Sequence, residues 1–389
     1  MSDGTTDREA GRIGMREARD AIRKRPGMYV GSTGERGVRQ MVFEVAGRAV
    51  NEVLAGRARH VDVTLTRDGG VRVADDGPGV PVEAAGHTEG PGLETLLTRV
   101  AFAPDSADRH TAVLAPLGIW PAVTNALSSR LTAEVRRAGT RWVQEYARGV
   151  ALGPPVVGGR ATGSGTTLTF WPDGGIFDTR ECSFPALEER FRELALLNRA
   201  LSISLTDERP ARRSGPARSV RFRFPGGARD FVALLDAGAG TPVHPDVVWF
   251  EREDLRMAGT VEVALRWSDA SDERVRSFAN SSPTPQGGTH VAGLRDGVAA
   301  AIDAFARARG PARGHGPGSG ARRTGEGLTA VVSVKVDRPE FQGSTRGELA
   351  GAAVRACVEA AVRERLGTWL EEHPEQADAI LRRTGRRAR

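Results

Sequence analysis

The chain has 389 residues, 39% of them hydrophobic, which suits a globular protein of two or three domains with cores of ordinary size. No run of about 18 apolar residues is present and the first residues are polar, so we expect neither a membrane span nor a signal peptide. The two cysteines, Cys182 and Cys357, are far apart. Their spacing argues against a disulfide or a zinc site and favours a cytoplasmic location.

The formal net charge is +6, and arginine supplies nearly all of the positive charge, since Lys24 and Lys335 are the only lysines. A basic balance favours contact with phosphate groups, including weak and sequence-independent DNA binding. A preference for arginine over lysine is explained equally well by genome composition, so both interpretations stay open.

In the first half of the chain, a short helix over 16–24 is predicted to end before Pro26, because the residue before a proline is pushed out of helical geometry. An apolar stripe predicts a longer helix over about 37–55. Alternating patterns predict a hairpin turning at 68–70, strands within 131–149 and at 165–171, and a helix follows at 185–197. Helices mixed with antiparallel strands indicate an α/β sandwich.

The pattern restarts near residue 229. Strands are predicted at 261–267 and 328–336, and helices at 294–309 and about 347–371. The glycine- and proline-rich stretch 310–327 is predicted to be a flexible loop. We therefore predict two domains, 1–228 and 229–389.

Six separated strings carry a resemblance to one family, in that family's order. They are IRKRPGMYVGST (22–33), MVFEVAGRAVNEVLAG (41–56), VADDGPGVPV (73–82), GTTLTFWPDGGIF (165–177), SFANSSPTPQGGTHVAGL (277–294) and GLTAVVSVKVDRPEFQGSTRGEL (327–349). From about residue 16 onward the chain resembles the ATPase subunit of type IIA DNA topoisomerases, that is, DNA gyrase B and its topoisomerase IV counterpart.

The resemblance implies an α+β fold: a GHKL ATPase α/β sandwich of the Hsp90 and histidine-kinase type, followed by a transducer that resembles domain 2 of ribosomal protein S5. No string similar to the acidic EGDSAGG motif of the family's cleavage domain is present. We therefore expect no metal site for DNA cleavage and no DNA cleavage by this chain alone.

The resemblance assigns nucleotide binding to the DxGxG string at Asp75, Gly77 and Gly79, and to Pro81 and Thr166. The Asp75 carboxylate would accept a hydrogen bond from the adenine amino group, since an ionised carboxylate is purely an acceptor. The glycines would let the backbone come close to the base. Without the resemblance, the same residues would be interpreted as an ordinary turn at the end of a hairpin.

Glu44 matches the family's general base, which would take a proton from the attacking water. Four residues later the family has an asparagine that holds Mg²⁺, and this chain has Arg48. Arginine has no acceptor and cannot bind a cation, so Mg²⁺ binding is doubtful. The i,i+4 spacing predicts an ion pair between Glu44 and Arg48, which would make Glu44 a poorer base.

The family's phosphate-binding lid is glycine-rich, but the corresponding stretch here is LAPLGIW (114–120), in which Gly118 is the one glycine kept. Arg346 stands where the family has a lysine that contacts the γ-phosphate, and Arg48 is included among the nucleotide-binding residues for its charge. Pro78 replaces a family arginine, which predicts that Glu52 loses its partner.

Three functions are consistent with these residues. The first, which we favour, is a gyrase-B-like module that binds ATP with weak or no hydrolysis and associates with a gyrase-type subunit, a second copy or DNA. The second is a working ATPase fragment in which Arg48, Arg109 and Arg346 supply the missing charges. The third is a structural scaffold that binds no nucleotide.

Overall fold

The computed structural model describes residues 16–82, 92–99, 112, 121–210, 218–238, 240–309, 324–343 and 346–385. The chain divides into two compact units. The first contains the described residues up to 195 and Ala200–Arg223, and the second contains Leu196–Arg199 and the described residues from Phe224 onward. Within the described residues, no helix is both long and apolar enough to cross a membrane.

The helices that begin in the first unit follow the predicted pattern closely. Helix α1 covers residues 16–24 and ends before Pro26, and Gly31 ends the next helix in a left-handed conformation, with φ +76°. The long helix α3 buries an apolar stripe that includes Val38, Met41 and Val45. The other bounds are α2 Gly27–Val30, α3 Glu35–Leu54, α4 Leu93–Thr98, α5 Ala122–Ala126 and α6 Phe184–Leu197.

The described strands of the first unit form one sheet in the order β5-β4-β3-β7-β2-β1-β8-β9, with β6 also paired to β4. All pairs are antiparallel except β1 with β8. The bounds are β1 His60–Leu65, β2 Val71–Asp75, β3 Ser128–Arg137, β4 Thr140–Ala147, β5 Val150–Ala151, β6 Val156–Arg160, β7 Gly165–Pro172, β8 Ser202–Asp207 and β9 Arg218–Phe222.

The second unit has a described sheet in the order β10-β11-β14-β12-β13 and a separate pair, β15 with β16. Its strands are β10 Val248–Asp254, β11 Gly259–Trp267, β12 Arg274–Ala279, β13 Ser282–Pro283, β14 Leu328–Val336, β15 Phe341–Gln342 and β16 Glu348–Leu349. Its helices are α7 Ala228–Asp236, α8 Thr289–Ala308, α9 Ala352–Glu372 and α10 Pro374–Gly385, with a 3-10 turn at Leu255–Met257.

Helices α8 and α9 pack closely because glycines face the contact. A Cβ added to Gly293 would lie 2.5 Å from the Arg355 carbonyl oxygen, and one added to Gly297 would lie 2.7 Å from that of Glu359. The helix predicted over 347–371 begins later than expected. Gly351, at φ +105°, separates strand β16 from helix α9.

His244 and His290 are buried in the second unit, 2% and 0% exposed. Burial lowers the pKa of each to about 4; around His244, Arg266 lowers the pKa further, and Asp246 and Asp236 partly oppose the shift. The His244 Nε2 atom accepts a hydrogen bond from the Trp267 backbone N–H at 3.2 Å. Protonation of that nitrogen would therefore break a buried hydrogen bond.

We expect the second unit to lose stability as the pH falls from about 6.5 through 4, because the unfolded chain then binds protons that the buried histidines do not. At 1.36 kcal/mol for each pKa unit, one such histidine accounts for roughly 3 kcal/mol. Urea unfolding at several pH values measures this loss. His244→Gln and His290→Gln should each flatten the profile, and an unchanged slope in both variants would contradict the assignment.

Candidate nucleotide site

The position of Asp75 follows from the period-2 pattern of strand β2. Val71, Val73 and Asp75 share one buried face of the strand, and helix α3 packs against this strand. The Asp75 side chain is 1% exposed, and its Oδ1 atom accepts a hydrogen bond from the Gly77 N–H at 2.9 Å. The strand thus ends on a carboxylate that points into the unit.

Arg48 supplies the cation for this carboxylate. Its Nη2 atom donates to Asp75 Oδ2 in an ion pair, and its side chain is 11% exposed. The Arg48 Nε atom is buried, with no acceptor among the described residues. Burial lowers the pKa of Arg48 to about 10, while the charge of Glu52 partly raises it. The guanidinium therefore stays protonated at neutral pH.

The expectation of an ion pair between Arg48 and Glu44 is wrong. The Arg48 guanidinium pairs with Asp75 on strand β2 instead. A buried Asp75 carboxylate without a cation beside it would be strongly destabilising. This is a physical reason for Arg48 to pair with Asp75 and not with Glu44. Glu44 itself is 6% exposed, and Gln40 Nε2 donates to its Oε1 atom at 3.4 Å. Its role as a general base stays a prediction.

The residues at position 48 and around it do not fit a bound Mg²⁺ ion. A guanidinium offers no lone pair to a metal, and its positive charge opposes one. The Asp75 carboxylate is already paired with that guanidinium. We therefore assign no metal to this point.

The glycine string that follows strand β2 is held from two neighbouring strands. Thr166 on β7 is buried and accepts from the Val80 N–H at 3.0 Å, and Arg137 Nη1 on β3 donates to the Gly79 carbonyl at 2.9 Å. Gly79 has φ +78°, and an added Cβ would lie 2.6 Å from the Arg136 carbonyl oxygen. Sequence reasoning missed Arg137, because the hairpin pattern does not show which loop lies beside β3.

The other predicted site residues are placed as follows. The Pro81 carbonyl accepts from the Leu93 N–H at 2.8 Å, and Gly118 lies outside the described residues. Arg346 belongs to the second unit, where its guanidinium lies 5.8 Å from the centre of the Phe341 ring and its backbone has φ +52°. Burial lowers the pKa of Arg346. Its predicted phosphate contact stays a prediction.

The expectation that Glu52 loses its partner is wrong. Arg57 Nε donates to Glu52 Oε2 at 2.8 Å, and Arg57 Nη2 lies 3.3 Å from Oε1. Because Arg57 follows closely after the end of helix α3, it is near enough in sequence to pair with Glu52.

Residues 227–389 match the family model described as DNA gyrase B. Two curated relatives are the gyrase B proteins of Streptomyces niveus, described as novobiocin-resistant, and of Streptomyces coelicolor. Each is 39% identical to this chain and covers 98% of it, whereas the chain covers 58% and 57% of their lengths.

Two solved structures extend the comparison over nearly the whole chain. The 43K ATPase domain of Thermus thermophilus gyrase B, in complex with an aminocoumarin, is 30% identical with a TM-score of 0.81, over 95% of this chain and 94% of that one. The topoisomerase IV ATP-binding domain of Francisella tularensis is 27% identical with a TM-score of 0.75, over 94% and 96%.

The chain belongs to the DNA gyrase B family. The comparison with the Thermus domain also confirms the predicted fold class, a GHKL-type sandwich followed by a transducer. The chain spans less than three fifths of the length of the two curated gyrase B relatives.

Asp75→Ala should lower the free energy of unfolding by about 3–5 kcal/mol, because it leaves a buried arginine without its partner. The double variant Asp75→Ala with Arg48→Met should recover much of that loss, since both charges are then removed. Asp76→Ala, on the neighbouring exposed carboxylate, serves as the control and should cost less. Urea unfolding of these proteins and of the single variant Arg48→Met tests the coupling; a loss in the double variant equal to the sum of the two single losses would contradict it.

Gly79→Ala and Gly69→Ala form a matched pair, because both glycines have a left-handed backbone, with φ of +78° and +81°. They differ in the space around them: an added Cβ at Gly79 lies within 4 Å of other atoms, and one at Gly69 does not. Gly69→Ala should cost about 1 kcal/mol for the conformation alone. Gly79→Ala should cost clearly more, because the Arg136 carbonyl must move. Equal melting temperatures for the two variants would show that the space between Gly79 and the Arg136 carbonyl accommodates a Cβ.

Proposed function

We propose that this chain is the nucleotide-binding and transducer part of a gyrase-B-type protein in which ATP hydrolysis is impaired. The observation that carries the proposal is the Arg48–Asp75 ion pair. One side chain stands where the family places a metal ligand and also binds the carboxylate that the family uses for the adenine amino group.

Two consequences for ATP follow from this pair. The adenine amino group has to compete with a charged guanidinium for Asp75, and charge-assisted hydrogen bonds are the stronger kind. Arg48 also supplies positive charge without Mg²⁺, so nucleotide binding becomes largely independent of the metal. Hydrolysis suffers more than binding, because a metal stabilises the charge that develops on the phosphates in the transition state.

The sequence of the lid supports the same conclusion. In LAPLGIW (114–120), Pro116 has no N–H to donate and Trp120 is bulky where backbone would approach the phosphates. Backbone donors of this kind contribute roughly 3–4 kcal/mol each to transition-state stabilisation in other enzymes. We infer that Glu44, even if it acts as a base, works beside phosphates that neither a metal nor a glycine-rich lid stabilises.

The proposed partners are a gyrase-type subunit, a second copy of this chain, or DNA bound weakly and without sequence preference. The net charge of +6 supports the DNA contact in general terms. The Arg-rich stretch at 307–323 is the segment we propose for it, by counterion release from phosphates.

We expect the purified chain to release phosphate from ATP at a rate near background. Arg48→Asn should make nucleotide binding depend more on Mg²⁺, because it frees Asp75 and restores one metal ligand. It should not restore much turnover, since the lid remains unsuited to the phosphates. Calorimetric titrations and phosphate-release assays, each with Mg²⁺ and with a chelator, measure both effects.

Arg266→Asn is a matched control, because it opens another well-buried arginine–aspartate pair, with Asp236, in the second unit. It should leave nucleotide binding and its Mg²⁺ dependence unchanged. A robust Mg²⁺-dependent rate in the unmodified protein that Glu44→Ala abolishes would show a working ATPase instead. Absence of any nucleotide binding would show a structural scaffold.

A further inference from the structure

The outer edge of strand β12 in the second unit is only partly covered. Among the described residues, strand β13 pairs with the last two residues of β12, and no strand pairs with the outer edge of residues 274–276. The Thr284 N–H donates to the Ser277 carbonyl at 2.9 Å, so the backbone of Ser277 faces this outer edge. Because backbone groups alternate in direction along a strand, the N–H and C=O of Val275 face the same edge.

A groove of about 530 Å³ opens at this edge, between strand β12 and the start of helix α8. Four consecutive strand residues, 275–278, line it together with residues of the turn that follows and of α8. Successive side chains of a strand point to opposite faces, so four residues in a row border one groove along the edge of the strand. The groove therefore gives a ligand access to the outward N–H and C=O of Val275.

The two faces of the strand at this groove differ in chemistry. Val275 packs against the buried core that contains Val291 of α8, which makes that face apolar. Arg276 is on the opposite face by strand alternation, and it is exposed. Among the described residues that line the groove there is no carboxylate, and Arg295 adds a second guanidinium, which is already in a surface ion pair. An occupant with apolar groups on one side and negative charge on the other is complementary to this edge.

An extended peptide meets these requirements better than nucleic acid or a second copy of the chain. Its backbone offers both a carbonyl and an N–H to Val275, whereas phosphate groups offer acceptors alone. Two copies paired in antiparallel fashion about Val275 would place Arg274 of one opposite Arg276 of the other, and like charges opposite each other are destabilising. We propose that this edge of β12 is a docking site for an extended, acidic peptide segment of a partner protein, which adds a strand to the sheet beside Val275.

A peptide of about seven residues that alternates glutamate with valine, blocked at both ends and carrying a fluorophore, is the probe. A valine opposite Val275 lies on the apolar face and exchanges both backbone hydrogen bonds with it, while the glutamates lie on the face of Arg276. Fluorescence anisotropy with the unmodified chain should show saturable binding of one peptide per chain. The same peptide with N-methylated valines should bind at least about tenfold more weakly, because it has lost the donors for the Val275 carbonyl.

Variants locate the binding. Val275→Pro removes the outward N–H and should weaken binding at least about tenfold; proline is tolerated on an edge strand where the N–H faces outward. Arg276→Gln should weaken binding about threefold, as expected for an exposed charge. Arg252→Gln, on strand β10 at the opposite end of the sheet, is the matched control and should leave binding unchanged. Circular dichroism checks the fold of each variant, and the N-methylated peptide on the unmodified chain decides the proposal even if Val275→Pro fails to fold.

Absence of peptide binding, or equal binding of the two peptides, would overturn the proposal. Binding of a short DNA duplex that Arg276→Gln weakens, without binding of the peptide, would assign the edge to nucleic acid instead. Self-association that Val275→Pro abolishes, again without binding of the peptide, would assign it to a second copy of the chain. None of these results bears on the proposed nucleotide binding, because the edge of β12 shares no residue with that site.

Discussion

The structure of the site depends on one buried ion pair, between Arg48 on helix α3 and Asp75 at the end of strand β2. Strand alternation places the Asp75 carboxylate on the face that the helix covers, so the charge cannot reach bulk water. A buried carboxylate needs a cation or several donors to remain ionised. The Gly77 N–H supplies one donor and Arg48 supplies the cation. The Arg48–Asp75 ion pair therefore links helix α3 to strand β2.

This pair joins two parts of the site that have separate tasks in the family. The resemblance gives position 48 to the metal and position 75 to the base, and here the two side chains bind each other. A substitution at position 48 therefore alters both the phosphate end and the base end. That coupling explains why one variant, Arg48→Asn, tests both the adenine contact of Asp75 and the metal dependence.

Much of this arrangement can be read from the sequence, and the limit is physical. The apolar alternation of VRVAD predicts that Asp75 points inward, and the stripe along α3 predicts the helix that covers it. The i,i+4 rule then gave the wrong partner for Arg48. A pair on a helix surface contributes only about 0.3–0.5 kcal/mol, whereas an uncompensated buried carboxylate costs several. The stronger of these two interactions joins residues 27 positions apart, which local spacing does not reveal. The Arg137 contact to Gly79 was missed for the same reason, since it depends on which strands are neighbours.

The intact DxGxG string is by itself weak evidence that this chain uses a nucleotide, because each of its residues has a structural reason to be there. Asp75 pairs with Arg48, the Gly77 N–H closes the turn on that carboxylate, and Gly79 lies against the Arg136 carbonyl with no room for a side chain. Fold stability alone would retain all three.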